Sequence, residues 1–483
     1  MIGLIRGLVS LYRWQYPAVL VYMLQSTEYR AGSYLVWFWQ TTDFSRVTYR
    51  RALERTKAAR LLLLALRLGM AAQVIAGFAL LALWYWRGLD GGWQFGLAFL
   101  FSYPLVWAHL AVVPLVLGRL FIVAPKEHSR IRSSEGIFRE HPGVTIAIAG
   151  SYGKTSMKEL LVTVLGETKQ VAATPANKNV AISHAHFARK LTGQEDVVII
   201  EYGEAKPGDV TRFAKVTHPT YAIVTGIAPA HLDRYKTLER AGQDIFSVAH
   251  FVEHDKLFVN NESSSAKPFI KGKDYQLYDQ HGALGWKASD VHIDLDGTRF
   301  TLSKGSRVMK LKSGLVGRHQ IGPLVLAAAL AAELGLTDAQ IKEGVARTAP
   351  FEHRMRPYRI GAAWAIDDTY NGNIEGVRAG TALLKELTAK RKIYVTPGLV
   401  DQGDEAEAVH IEVGQLIAAA QPDIVVLMQN SVTGFIEAGL KKAGFKGEVI
   451  VETDPLDFYT HLDLFVAAGD LVLMQNDWTD NYR

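Results

Sequence analysis

The stretch Val144-Thr145-Ile146-Ala147-Ile148-Ala149-Gly150-Ser151-Tyr152-Gly153-Lys154-Thr155-Ser156 decides how this chain is read. Its β-branched start predicts a strand. Behind it Met157, Leu160, Leu161, Val164 and Leu165 recur at helical spacing. A strand, a glycine loop ending in Lys-Thr and a helix together make a phosphate cradle. Glycines let backbone N–H groups approach phosphate oxygens, and the helix N-terminus adds positive potential. In this pattern Lys154 reaches the β/γ-phosphates and the Thr155 hydroxyl holds Mg²⁺. The outer glycine of the general pattern, six residues before Lys154, is Ile148, so a shorter Gly-x-x-Gly-Lys-Thr loop remains. Nucleotide binding through Gly150, Tyr152, Gly153, Lys154, Thr155 and Ser156 follows; the bland alternative is a chance glycine turn before a helix.

A chain of 483 residues exceeds one ordinary domain. The absence of cysteine excludes disulfides, thiolate metal sites and cysteine nucleophiles. Residues 1–60 carry a local net charge of +6 within a chain total of +5. That basic segment adjoins an apolar one, which favours an anionic membrane surface over nucleic acid as partner.

No charged residue occurs from Leu68 to Trp86, and none from Gly91 to Gly118. Each run is long enough to cross a hydrocarbon core, and Trp84, Tyr85 and Trp86 sit where an interface belt belongs. Arg46, Arg50, Arg51, Arg55, Lys57 and Arg60 precede the pair; Arg119, Lys126, Arg130 and Arg132 follow it. Both flanks therefore read as cytoplasmic, with a buried hairpin of a soluble core as the alternative. In residues 1–45 aromatics and arginines alternate with Leu and Val, which predicts a pair of amphipathic helices in the interface, or a third span near Pro17–Leu24.

Beyond residue 126 apolar strands alternate with helical patterns. Strands are expected at Thr145–Ala149, Val197–Tyr202, Tyr221–Thr225 and Lys256–Asn260, then a β-rich stretch at Val291–Leu311 turning at Asp296-Gly297. An apolar helix follows over Leu324–Leu334. A last unit alternates strands at Trp364–Asp367, Lys392–Thr396, Asp423–Met428, Glu448–Val451 and Asp470–Met474 with helices near 374–389, 406–420, 432–443 and 455–467. The fold class is α/β: a P-loop central domain and a C-terminal doubly wound, Rossmann-like domain, preceded by an α-helical membrane hairpin. The boundaries fall at 1–60 for the basic interfacial segment, 61–125 for the hairpin, 126–346 for the central domain and 347–483 for the C-terminal domain. The last unit has no second phosphate loop, so a nucleotide belongs between it and the central domain.

Further clusters stand in order along the chain: Thr174-Pro175-Ala176-Asn177-Lys178-Asn179, Glu201-Tyr202-Gly203, Lys206-Pro207-Gly208-Asp209, Pro229-Ala230-His231-Leu232-Asp233, Gly317-Arg318-His319, His353-Arg354-Met355 and Asp367-Asp368-Thr369-Tyr370-Asn371-Gly372-Asn373. Over roughly residues 143–475 this series resembles the Mur ligases, and within them the D-alanyl-D-alanine-adding (MurF) type. The resemblance implies that ATP phosphorylates a carboxylate, an amine attacks the acyl phosphate, and phosphate leaves. It implies Lys154, Glu201, His231, Arg354 and Asp368 as catalytic residues, and Thr155, Glu201 and His231 as ligands of Mg²⁺ or Mn²⁺. Arg318, Arg354, Asp368, Tyr370 and Asn371 would meet the nucleotide, while Asn177 and Asn179 would help bind the acyl substrate or order its loop. Alone, Glu201 could be a strand-end surface carboxylate, His231 a structural histidine, Arg354 a surface charge and Asp367-Asp368 a turn cap.

The chain also departs from the family. No lysine stands in Thr237–Phe246 where members often carry a carbamylated one, Gln320 and Pro323 replace two adenine-facing asparagines, and Gln475-Asn476-Asp477-Trp478 replaces a Lys-Gly-Ser run. The membrane region stands where a uridine-diphosphate-sugar domain is usual. The resulting expectation is a membrane-anchored, ATP-dependent amide ligase of peptidoglycan precursor synthesis at the bacterial cytoplasmic membrane, multi-pass, with its catalytic domains in the cytoplasm. Its partners would be a muropeptide or lipid-linked cell-wall precursor, an amino acid or dipeptide such as D-alanyl-D-alanine, and membrane lipids, with no nucleic acid. A poly-γ-glutamate or capsule-type ligase and a non-catalytic nucleotide-binding scaffold are the alternatives.

Overall fold

The computed structural model describes residues 2–27, 29–47, 53–175, 178–229, 232–370, 372–400 and 402–476. Two compact units divide the chain, 1–129 and 130–483.

The first unit is helical. Thr56 caps the long Lys57–Arg87 helix by accepting from Ala59 N, and Gly88 ends it in the left-handed conformation. The Gly92–Leu110 helix packs along it where Gly77 and Gly96 face each other; a Cβ on Gly96 would lie 2.9 Å from the Gly77 carbonyl oxygen. Counted through short breaks, Lys57–Arg87 and Gly92–Glu140 are long and apolar enough to cross a membrane. Much of their apolar surface faces outward, including Leu61, Leu68, Ile75, Phe78, Phe95, Phe101 and Phe121.

Residues 1–45 form three short helices, Ile2–Ser10, Tyr16–Ser26 and Ala31–Gln40, where a pair was expected. Tyr16, Leu20, Leu24, Tyr34 and Phe38 are buried in this unit's core. Tyr16 Oη donates to the Pro104 carbonyl and Tyr34 Oη to that of Ala108, each at 3.1 Å. The aromatic-rich sequence therefore supplies packing and hydrogen bonds to the hairpin. At 11 residues, Tyr16–Ser26 is too short for a span.

The second unit holds two sheets. In the first, strands Val171–Ala173, Val197–Glu201, Val144–Ala149, Tyr221–Val224, Leu257–Asn260 and Gln276–Asp279 lie side by side in that order and parallel. Gly282–Ala283, Trp286–Asp294, Gly297–Lys304 and Arg307–Ser313 extend the sheet antiparallel. Both faces of the parallel part are covered, so its strands read as continuous apolar runs. Ile146 and Ile148 pack with the Lys154–Leu165 and Ile321–Glu333 helices, while Ala147 and Ala149 pack with Ala181–Ala188 and Asp209–Thr217.

The second sheet runs Arg356–Ile360, Ala363–Asp368, Asp470–Gln475, Arg391–Thr396, Ile424–Met428, Glu448–Glu452, parallel except for its first strand. That first strand was not expected, because Pro357 and flanking arginines hide it. An edge strand tolerates the missing N–H. The helix expected over 455–467 is two, Pro455–Thr460 and Leu462–Phe465, broken at His461.

Candidate nucleotide and phosphoryl-transfer site

The glycine loop leaves the Val144–Ala149 strand, which lies between Val197–Glu201 on one side and Tyr221–Val224 on the other. Strand order reverses there, and the carboxyl ends at such a switch point open a crevice for ligands. Gly150 has φ 140°, and a Cβ on it would sit 2.3 Å from Thr225 Oγ1. Gly153, at φ 73°, starts the Lys154–Leu165 helix. Ser151 N donates to the Gly226 carbonyl at 2.8 Å, while the shielded Ser151 hydroxyl has no hydrogen-bond partner. A buried hydroxyl left over in a loop of this shape suits a phosphate oxygen.

Glu201 ends its strand beside the loop, in register with Ile148, and is 3% exposed. Thr155 Oγ1 donates to Glu201 Oε1 at 3.1 Å, and Asn179 Nδ2 reaches the same oxygen at 3.4 Å. Glu201 Oε2 lies 3.1 Å from the ammonium of the fully buried Lys158, without hydrogen-bond alignment. Behind it His184 Nε2 meets the Glu201 carbonyl at 2.9 Å; burial pushes His184 down to about 4 and keeps it neutral. Lys154 Nζ donates to Glu204 Oε2 at 2.8 Å and to the Gly150 carbonyl.

Thr155 and Glu201 offer hard oxygen donors, and Glu201 Oε2 accepts no hydrogen bond. That set suits Mg²⁺, which takes one or two protein oxygens and completes its shell with phosphate and water. Among the described residues no group of three or more His, Asp or Glu side chains gathers as a metal cluster. His231, Asn177 and Asn371 lie outside the described residues, as do Arg50, Arg51, Asp477 and Trp478.

The second sheet contributes from its own carboxyl ends, where Asp368 is in register with Gln475. Gln475 Nε2 donates to Asp368 Oδ2 at 2.7 Å, Met355 N donates to Oδ1 at 3.2 Å, and Tyr394 Oη fixes the Gln475 amide from behind at 2.9 Å. Removal from water pushes the Asp368 carboxyl up to about 6, against these donors, which favour the anion. Asp367 caps the turn instead, accepting from Thr369 N at 3.1 Å and facing His353 Nδ1 at 2.7 Å. The Asp367-Asp368 pair thus divides between a turn and the site. His353 and Met355 both adopt positive φ (59° and 45°), and between them Arg354 lays its guanidinium 4.7 Å above the Tyr370 ring.

A cavity of about 430 Å³ is lined by Tyr152, Gly153 and Ser156 from the loop and by Arg354 and Asp368 from the second sheet's side. Lys154, Thr155 and Glu201 adjoin this loop but are not in its wall, and neither is Tyr370. Arg318 is in the wall, yet its guanidinium forms a two-pronged pair with Glu386 at 2.8 and 3.1 Å. Its planar fork is matched to a carboxylate of the second sheet's layer. His319, partly open to the cavity but hemmed in by protein, is pushed down to about 4 by desolvation. Sequence reasoning did not single out Lys158, His184 or Glu204. All three earn their place through tertiary contacts, and a lysine at helical spacing among apolar residues was the one signal available.

The description "Mur ligase middle domain" matches residues 148–331. The chain carries a Mur ligase middle domain. Among its relatives is the UDP-N-acetylmuramoyl-tripeptide–D-alanyl-D-alanine ligase of Escherichia coli (strain K12), 29% identical over 339 residues, covering 68% of this chain and 73% of that protein. The Haemophilus influenzae protein of the same name is 27% identical over 313 residues, covering 61% of this chain and 65% of its own length. Among solved structures, MurF from Acinetobacter baumannii superimposes with a TM-score of 0.64 at 18% identity, covering 73% of this chain and 77% of that one. MurF from Thermotoga maritima in complex with ADP gives 0.63 at 18% identity, covering 73% and 80%. At that identity the structural likeness establishes the Mur ligase-like α/β fold.

Gly150→Ala should cost about 1–3 kcal/mol in backbone strain and weaken ADP binding roughly tenfold or more, measured by calorimetric titration beside a thermal melt. Because protonated Asp368 accumulates as pH falls through about 6, ATP turnover that needs the anion should decline with a midpoint near that value. Gln475→Leu removes a donor that favours the anion and should move the midpoint upward. A pH–rate profile of phosphate release reads both.

Proposed function

We propose that this chain is an ATP-dependent amide ligase of peptidoglycan precursor synthesis, held at a membrane by its N-terminal helices. The observation that carries the reading is the shared cavity: phosphate-loop residues face Arg354 and Asp368 across it. The relatives named as D-alanyl-D-alanine-adding ligases support the reaction class.

Phosphoryl transfer to a carboxylate needs positioning and positive charge more than covalent help from the protein. The loop's N–H groups and Lys154 hold the nucleotide phosphates, and Thr155 with Glu201 would hold Mg²⁺, which neutralises charge on the phosphates when bound. Arg354 meets the transferring phosphoryl group from the opposite side. The substrate carboxylate oxygen bonds to the γ-phosphorus as the bond to ADP breaks. The amine nitrogen then bonds to the acyl carbon, loses a proton, and inorganic phosphate departs. Asp368, fixed by Gln475, is placed to orient the groups that meet there. His231 is proposed, with Thr155 and Glu201, as a further metal ligand.

The acyl substrate we propose is a muramoyl tripeptide, and the amine D-alanyl-D-alanine. The outward apolar faces of Lys57–Arg87 and Gly92–Glu140 support membrane attachment. A precursor carried on a polyprenyl lipid at the same surface would then gain effective concentration over a freely diffusing one.

Detergent-purified protein given Mg·ATP, D-alanyl-D-alanine and either uridine-linked or polyprenyl-linked muramoyl tripeptide should add a dipeptide mass to at least one acceptor, and Lys154→Ala should abolish it. No gain on either, with nucleotide binding intact, would overturn the ligase reading. Expressed in bacteria, the chain should stay in the membrane pellet through alkaline carbonate extraction; release into the supernatant would refute the spanning hairpin.

A further inference from the structure

Lys154 and Lys158 stand one helical turn apart on the Lys154–Leu165 helix, and each meets a carboxylate. Lys154 Nζ lies 2.8 Å from Glu204, and Lys158 Nζ lies 3.1 Å from Glu201. The four side chains are between 0% and 12% exposed, so water screens these pairs little. Glu201 has an evident use, since Thr155 shares it. Glu204 has none in the reaction described above: it pairs with the loop lysine.

The electrostatic consequence is specific. With two ammonium groups matched by two carboxylates, the four buried side chains at the base of the cradle carry no net charge, and the more exposed Glu159 lies 3.5 Å from Lys158. A free nucleoside di- or triphosphate brings several negative charges to that point. Backbone N–H groups and the helix N-terminus supply only partial positive charge in return. A divalent cation arriving with the phosphates, against Thr155 and Glu201, restores the balance that Glu204 removes from Lys154.

We propose that Glu204 is a specificity-determining residue: by pairing with Lys154 it makes the cradle select the divalent-cation complex of a nucleotide over the free polyanion. This deepens the nucleotide-site reading and rests on it. Glu204 acts through Lys154 as a positioning residue and touches no substrate.

Calorimetric titration of the full chain in detergent, with ADP in excess Mg²⁺ and with ADP in EDTA, separates the possibilities. Wild type should bind Mg·ADP much more tightly than free ADP. In Glu204→Gln, and in the uncharged Glu204→Met as a second variant, free ADP should bind roughly tenfold tighter, with Mg·ADP changed far less. Glu204→Asp keeps the charge and should keep the preference, and Glu159→Gln, a charge removed from the neighbouring Lys158, should also leave it intact. An unchanged ratio in the two uncharged variants, or weaker free-ADP binding in them, would overturn the proposal while leaving the nucleotide site standing. Failure of wild type to bind ADP in either condition would instead remove the nucleotide-site reading and this inference with it.

Discussion

Burying Glu201 at the end of a parallel strand sets the terms for everything around it. A carboxylate taken out of water is tolerated only where charge and hydrogen bonds are returned to it. Here Thr155, Asn179 and Lys158 return them, from the phosphate loop's helix and from the segment before Ala181–Ala188. The loop, the helix and the strand end are thereby tied to one another through a single side chain. Replacing Lys158 or Thr155 would disturb the carboxylate as much as the loop, so the cradle and its cation-binding oxygens form one unit.

The second sheet answers with the same logic at its own carboxyl ends. Asp368 and Gln475 are register partners on adjacent parallel strands, and Tyr394 holds the amide that holds the carboxylate. Where the family's Lys-Gly-Ser run would stand, this chain has an amide. An amide donates to Asp368 without adding charge, so burial still raises the carboxyl although the hydrogen bond favours its anion. Arg354, laid over the Tyr370 ring, then supplies positive charge to the cavity wall. The Arg318–Glu386 pair joins the two layers at the cavity's wall.

What could be read in advance was local. β-Branched runs marked the parallel strands because both faces are buried, and the glycine loop declared itself through Gly150, Gly153, Lys154 and Thr155. The Arg356–Ile360 strand escaped because its proline and arginines suit an edge and resemble a linker. The break at His461 escaped because the apolar spacing continues across it. In residues 1–45 the aromatic pattern marked helices without showing which rings turn inward, as Tyr16 and Tyr34 do to carbonyls of the Gly92–Leu110 helix. In the site, residues with a motif were legible one by one. Lys158, Glu204, His184 and the pairing of Arg318 with Glu386 depend on which strands and helices lie beside them, and no spacing along the chain encodes that.

The two sheets together are proposed to run acyl-phosphate chemistry. The most direct test of this is transfer of oxygen-18 from the labelled terminal carboxylate of a muramoyl tripeptide, with Mg·ATP and D-alanyl-D-alanine present. One labelled oxygen should appear in inorganic phosphate for each amide formed. Amide formation with unlabelled phosphate, or phosphate release that ignores both the carboxylate and the amine, would contradict the account.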